Sequence, residues 1–195
     1  MVVIKKGNLD GSVGKIQRAR LACERCKDEV IAGRSIANGD DHARIMLVGQ
    51  NPCYPKCLQY MRPFTGGSGR LIDDALKMLH LTRDDIFITN AVSCATYDNV
   101  QPSLEMRRNC QSFLFQEIEV INPNVIVALG TIAFDSLVGR FTKKKQEYPK
   151  PGSVTDQWVN FRPKRILYVP HPAYAMRMGR GKEFLEYMKV LRIWI

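Results

Sequence analysis

Four short apolar runs constrain the fold of this 195-residue chain more than any other feature: 45–48 (IMLV), 86–89 (IFIT), 125–129 (VIVAL) and 166–169 (ILYV). Each is too short for a helix and rich in β-branched residues, so each reads as a strand buried on both faces. The stretches between them carry helical patterns. Residues 67–80 place Leu71, Ile72, Ala75, Leu76 and Leu79 on one stripe. Residues 103–121 open with Ser103 as N-cap after Pro102 and carry Leu114, Ile118 and Ile121 on one face. Further helices are expected over 12–22, 131–139 and 182–193. Strand–helix alternation of this kind implies α/β architecture: a three-layer α/β/α sandwich around a central four-stranded parallel sheet. The whole chain, 1–195, reads as one domain. The Lys-, Pro- and Gly-rich segment 141–164 reads as an exposed excursion before the last strand.

In open α/β sheets, ligands bind beyond the carboxyl ends of the strands. The residues that follow each run are therefore informative. They are Gly49-Gln50-Asn51-Pro52, then Thr89-Asn90, then Gly130-Thr131, then Pro170-His171-Pro172. Amides and a histidine converge on one rim. No Gly-x-Gly-x-x-Gly follows the first strand, which argues against a Rossmann-type nucleotide enzyme.

The formal charge is +10, from 29 Lys+Arg against 19 Asp+Glu. Such a balance favours a polyanionic partner, nucleic acid first among them. The basic residues recur at Lys143 to Lys145, Arg162 to Arg165 and Arg177 to Lys182, which suggests a surface around a site rather than a disordered arm. No segment approaches the roughly 18 apolar residues that cross a membrane, and no apolar leader opens the chain, so a cytoplasmic address without membrane association is expected. In a reducing compartment the six cysteines are not read as three disulfides. Their grouping as Cys23-x-x-Cys26, Cys53-x3-Cys57, Cys94 and Cys110 points to metal or cluster ligation instead.

Five fragments, in order, resemble the uracil-DNA glycosylase superfamily, most closely its iron–sulfur branch, family 4. They are the Cys23–Cys26 pair, GQNPC (49–53), RPFTGGSGRLIDDAL (62–76), ITNAVSC (88–94) and HPAYAMR (171–177), with Cys110 on the helix that follows the fourth. The resemblance runs from about Cys23 to Arg177. It implies a monomeric, monofunctional DNA repair enzyme that hydrolyses the N-glycosidic bond of uracil in single- or double-stranded DNA, the nucleotide being flipped into a pocket.

The same resemblance implies the roles. Gly49 and Gln50 belong to the substrate pocket. Phe64 stacks on the base. Asn90 reads the pyrimidine edge, donating to O4 and accepting from N3–H, a pattern that cytosine reverses. His171 hydrogen-bonds O2 of the leaving uracil. Met176 is the wedge into the gap left by the flipped base, and Arg177, Arg180 and some of Lys143 to Lys145 contact phosphates. Tyr174 and Ala175 share the wedge segment. Cys23, Cys26, Cys94 and Cys110 match the ligands of a [4Fe–4S] cluster, a structural zinc being the alternative for the same four thiolates. Cys53 and Cys57 are left over as free thiols.

The chain departs from the family at one place. Family 4 usually has Gly-Glu-Ala-Pro-Gly where this chain has Gly49-Gln50-Asn51-Pro52-Cys53, so the carboxylate is missing. The mismatch-specific relatives have Gly-x-Asn-Pro-Gly, and Asn51 matches their water-positioning Asn. An amide takes no proton at neutral pH, so Asn51 is expected to orient water rather than act as a strong base. The departure keeps alternatives open: a weakly active or non-catalytic uracil-DNA binder, or a glycosylase for another deaminated base. In the Gly-Gln-Asp-Pro-Tyr branch of the superfamily the Tyr blocks the methyl of thymine; the resemblance puts Cys53 at that position, with the adjacent Tyr54 as the alternative filter.

Overall fold

The computed structural model describes residues 11–26, 30–142, 147–160 and 162–195. The four expected strands form, as β3 (Ile45–Gly49), β4 (Phe87–Asn90), β6 (Val125–Leu129) and β8 (Arg162–Val169). All four are parallel, in the order β4-β3-β6-β8. The sheet has six strands rather than four, because an antiparallel strand closes each edge. β2 (Asn38–Gly39) pairs with β4, and β7 (Val154–Val159) pairs with β8. β7 lies within the segment expected to be an exposed excursion. A separate ribbon joins β1 (Ile31–Arg34) to β5 (Cys94–Thr96).

The helices are α1 (Gly11–Leu21), α2 (Lys56–Tyr60), α3 (Gly69–Met78), α4 (Leu104–Ile121), α5 (Thr131–Leu137), α6 (Pro172–Arg177) and α7 (Gly181–Met188). Alternate residues of the central strands feed two apolar clusters. Leu47, Ile88, Val127 and Leu167 join α3 and α7 residues in one. Met46, Phe87, Ile126 and Ile166 join residues of α1, α4 and α5 in the other. Such period-two alternation with both faces apolar is what a doubly covered parallel sheet requires. Ser103 caps α4 as expected, its side chain accepting from Met106 N–H at 3.2 Å. Among the described residues no helix is long and apolar enough to cross a membrane.

The topology explains where a site can form. From β3 the chain passes to β4 on one side, and β4 then connects across β3 to β6 on the other. The helix α3 follows β3 on one face, whereas α5 follows β6 on the opposite face. The strand order therefore reverses between β3 and β6, and in open α/β sheets the carboxyl ends at such a reversal are where ligands bind.

Beneath this rim lies a buried polar network. Arg20, 1% exposed, donates to Thr89 Oγ1 at 3.0 Å and to the Asn90 carbonyl at 3.3 Å. It pairs with Glu117 Oε1 at 3.3 Å. Thr89 donates to Glu117 Oε2 at 2.8 Å, and Gln17 donates to Glu117 while accepting from Ala37 N–H. Burial pushes the Glu117 carboxyl upward, and Arg20, Thr89 and Gln17 pull it back.

Removing one member leaves the other charge buried and alone. Arg20→Met is expected to cost about 3–5 kcal/mol of stability, and adding Glu117→Leu to recover much of it, since a buried pair gains little over an apolar replacement. Urea denaturation of the parent and both variants measures this. A single variant as stable as the parent would show that Glu117 is not charged in the folded chain.

Candidate active site

The four strand ends deliver their residues to one rim. Gly49 lies directly opposite Asn90 in the β3–β4 register. The absence of a side chain at Gly49 is what lets the neighbours close in. A Cβ there would lie 2.6 Å from Phe64 Cζ and nearer still to Asn90 Oδ1. Phe64 sits in the loop before α3 with a positive φ of 55° and is buried. Arg83 clamps that loop, donating to the Pro63 and Phe64 carbonyls at 3.0 and 2.9 Å and pairing with Asp73 at 2.6 Å. The Phe64 ring is 6.0 Å from the His171 ring, tilted by 35°. Asn90 is buried.

His171 caps α6, its Nδ1 accepting from Ala173 N–H at 3.2 Å. An Nδ1 that accepts leaves the proton of the neutral ring on Nε2. Burial, with the positive charge of Arg177 adding, pushes its pKa down to about 4. The ring is therefore a neutral Nε2–H donor at physiological pH. Gly130 ends β6 against it, and a Cβ there would approach His171 Cβ to 3.1 Å.

Gln50 and Asn51 are half-buried. Gln50 Nε2 donates to Asn51 Oδ1 at 3.0 Å, and Asn51 Nδ2 donates to Thr96 Oγ1 at 3.1 Å. Thr96 in turn donates to the Val100 carbonyl at 2.6 Å. Asn99 ties the same two loops together, accepting from Tyr54 N–H at 2.7 Å and donating to the Tyr54 carbonyl at 3.1 Å. Tyr54 and Tyr97 meet edge to face at 5.2 Å between centroids. Neither Thr96 nor Arg83 carries a sequence signal that marks it for the site. Both act through backbone and amide contacts that only the fold brings together.

Cys53 and Cys57 are joined as a disulfide rather than left as free thiols. The chain turns into α2 immediately after Cys53, and Cys57 N–H donates to the Cys53 carbonyl at 2.8 Å. One helical turn thus brings the two Cα atoms to 5.0 Å. Cys53 also packs on the Phe64 loop, its Sγ lying 3.1 Å from where a Gly66 Cβ would stand.

The other four cysteines gather at one corner. Cys94 and Cys110 are buried with Val92 and Met106, and Cys26 packs against them. Burial pushes the Cys94 thiol up to about 11, and the other three thiols add to the rise while Arg34 opposes it. At Cys23 burial acts upward too, but the hydrogen bonds and charge of Arg25, with Arg34, outweigh it and leave the thiol low. Among the described residues no three His, Cys, Asp or Glu side chains stand close enough as placed to hold a metal ion. The donor chemistry fits a thiolate centre all the same: four free thiols are present, and the buried pair Cys94 and Cys110 both feel the charge of Cys23 and Cys26. Asn109 donates to Cys26 Sγ at 3.3 Å and Arg25 to Cys23 Sγ at 3.4 Å, donors suited to thiolates.

The segment after His171 presents Tyr174 and Met176 to solvent, together with Met178, which the sequence reading passed over. Ala175, expected in the wedge segment, instead turns into the core beneath α6. Arg177 is exposed, and Arg180 is exposed with Glu183 3.8 Å away. Arg162 to Arg165 do not surround the rim. They begin β8, so they lie a strand length from His171 at the opposite end of the sheet, with Arg165 over Trp194. Lys143 to Lys145 lie outside the described residues.

The family model described as the uracil DNA glycosylase superfamily matches residues 36–192. A Type-4 uracil-DNA glycosylase of Thermotoga maritima is 33% identical over 142 residues, 73% of this chain and 71% of that one. A Type-4 uracil-DNA glycosylase of Archaeoglobus fulgidus is 30% identical over 174 residues, 82% and 85% of the two chains. A Type-5 uracil-DNA glycosylase of Pyrobaculum aerophilum is 36% identical over 114 residues, 51% and 50% of the two chains.

The lowered His171 pKa has a testable sign. Between about 4 and the ordinary value of 6.5, the unfolded chain binds a proton at this residue that the folded chain refuses. Stability should therefore fall as pH drops through that window. The effect is expected in the parent and absent from His171→Gln, by urea midpoints at pH 7, 6, 5 and 4. Parallel curves for the two proteins would mean that His171 titrates normally.

Proposed function

The chain belongs to the uracil DNA glycosylase superfamily, and we propose that it hydrolyses the N-glycosidic bond of uracil in DNA with Phe64, Asn90, His171 and Asn51 as its working residues. The observation that carries this reading is that Phe64 and Asn90 close over the bare backbone of Gly49 while the His171 ring stands 6.0 Å from the Phe64 ring. A planar base needs a ring face, an amide for its edge and a donor for its developing anion, and all three stand together.

The reaction requires that the nucleotide leave the base stack. Phe64 stacks on the flipped uracil, and its loop is held from behind by Arg83. Asn90 reads O4 and N3–H. As the bond to C1′ breaks, electrons pass to the base, and negative charge grows on O2. The neutral His171 donates its Nε2–H to that oxygen. A neutral donor suits this task, because the proton is shared with the anion and need not be surrendered. Asn51 accepts a hydrogen from a water whose lone pair faces C1′, and the water's proton leaves to solvent as the sugar–oxygen bond forms. No lysine stands in the motifs of the pocket, in keeping with a monofunctional hydrolase. Met176 fills the gap in the duplex, with Met178 beside it, and Arg177 and Arg180 meet phosphates.

Cys23, Cys26, Cys94 and Cys110 would hold a [4Fe–4S] cluster, or a structural zinc in its place. Such a centre supplies a cross-link between the N-terminal arm, β5 and α4. Metal and sulfide analysis of anaerobically purified protein is expected to find iron and sulfide, both lost in Cys110→Ser. Zinc without sulfide would select the alternative.

The activity is tested with a labelled oligonucleotide carrying one uracil, single-stranded and in a U·G duplex, followed by alkali. Scission is expected with the parent, and His171→Ala should lower the single-turnover rate by about 10²–10³-fold, as loss of a preorganised oxyanion donor does. Intact strands that are nevertheless tightly bound would replace the hydrolase with a uracil-DNA-binding module.

A further inference from the structure

We propose that Thr96 is the positioning residue that fixes which way the Asn51 carboxamide faces. This rests on the reading of Asn51 as the group that holds water. A carboxamide has a donor end and an acceptor end of nearly the same shape, and only the acceptor end takes a hydrogen from the attacking water. Something must choose between the two orientations.

Gln50 cannot choose. Its Nε2 donates to Asn51 Oδ1 at 3.0 Å. If both amides turned over together, Asn51 Nδ2 would donate to Gln50 Oε1, and the pair would keep one hydrogen bond. Two facing amides are degenerate in this respect.

Thr96 breaks the degeneracy. The Val100 carbonyl can only accept, and it takes the Thr96 hydroxyl proton at 2.6 Å. With its single proton committed, Thr96 Oγ1 can only accept from Asn51, so it demands the Nδ2 end, found at 3.1 Å. The chain of donation runs from Gln50 to Asn51 to Thr96 to a backbone carbonyl that cannot turn. A flipped Asn51 would set oxygen against oxygen at Thr96. Thr96 is fully buried, so no water can relieve that contact. The result is an Asn51 Oδ1 turned away from Thr96, with one lone pair on Gln50 and the other left for water.

The test measures single-turnover excision by Thr96→Val, Thr96→Ser, Asn51→Ala and the double variant Asn51→Ala/Thr96→Val, each checked by thermal melting. Thr96→Val keeps the shape and removes the hydroxyl. It should lower the rate about 10–100-fold with KM unchanged, the scale of effect that misplacing a reacting group produces. Thr96→Ser keeps the donor and acceptor and should retain the parent's rate. In the Asn51→Ala background Thr96→Val should add nothing, because no amide remains to be oriented. A merely structural Thr96 would instead resist rescue by serine or add its full effect to Asn51→Ala, whereas a lower melting temperature for Thr96→Val is expected either way, since the Val100 carbonyl loses its buried donor. Failed rescue by serine, full additivity or an unimpaired Thr96→Val overturns the proposal while leaving Asn51 in place. An unimpaired Asn51→Ala overturns the water-holding reading itself, and Thr96 with it.

Discussion

The register of β3 against β4 is the constraint on which the rim depends. Pairing Leu47 with Ile88 and Val48 with Thr89 sets Gly49 opposite Asn90. Side chains alternate across a sheet, so a slip of one residue would turn Asn90 to the other face and move Gly49 away from Phe64. The ladder continues past the last strand residues, with Ala91 N–H donating to the Gly49 carbonyl and Val92 N–H to the Gln50 carbonyl. The two strands therefore stay in step while their side chains change from apolar to polar. Packing supplies the register, and the register supplies the geometry.

The N-terminal arm reaches the same rim by two routes. Arg20, near the end of α1, holds the Asn90 carbonyl and Thr89 from below. Beyond the Cys23–Cys26 pair, β1 pairs with β5 and sets Arg34 opposite Cys94. Strand β5 carries Cys94 and, one residue removed, Thr96. On the proposed reading, a metal centre at the four thiols would brace both the strand that orients Asn51 and the arm beneath Asn90. A structural centre remote from the reacting atoms would then bear on the rate through position alone.

The central strands and most helices were legible because burial imposes a simple pattern on them. The runs 45–48 and 125–129 had to be apolar on both faces, and α3 had to show one stripe. The edge strands were hidden for the complementary reason. β2 is two residues long, and β7 leaves Trp158 71% exposed beside charged neighbours, so neither needed a continuous apolar run. Strand β8 extends back through Arg162 to Arg165 because an edge partner covers only backbone there. Assigned to a surface around the site, those arginines instead lie at the far end of their strand. At the site, strand-end residues could be read off because topology dictates where strand ends go. Arg83, Thr96 and Asn99 could not, since each is defined by a backbone carbonyl or amide far away in sequence.

The amides at positions 50 and 51 change what the surroundings must do. A carboxylate has two equivalent acceptor oxygens, so its rotation is harmless and it needs only to be near the water. An amide has one acceptor, and turning it over replaces attraction for a water hydrogen with repulsion. Losing the charge also lowers the desolvation cost of holding the group half-buried beside the buried Thr96. On the proposed reading, the chain therefore exchanges basicity for a group that is easier to bury, at the expense of an orientation that has to be enforced. The enforcing element is a loop pair fastened three times, by Asn51 to Thr96 and by both ends of the Asn99 amide to Tyr54. The amide and its fastening make sense only together: a carboxylate would leave Thr96 without a donor to receive, and an unfastened amide would face the water with its donor end as readily as its acceptor.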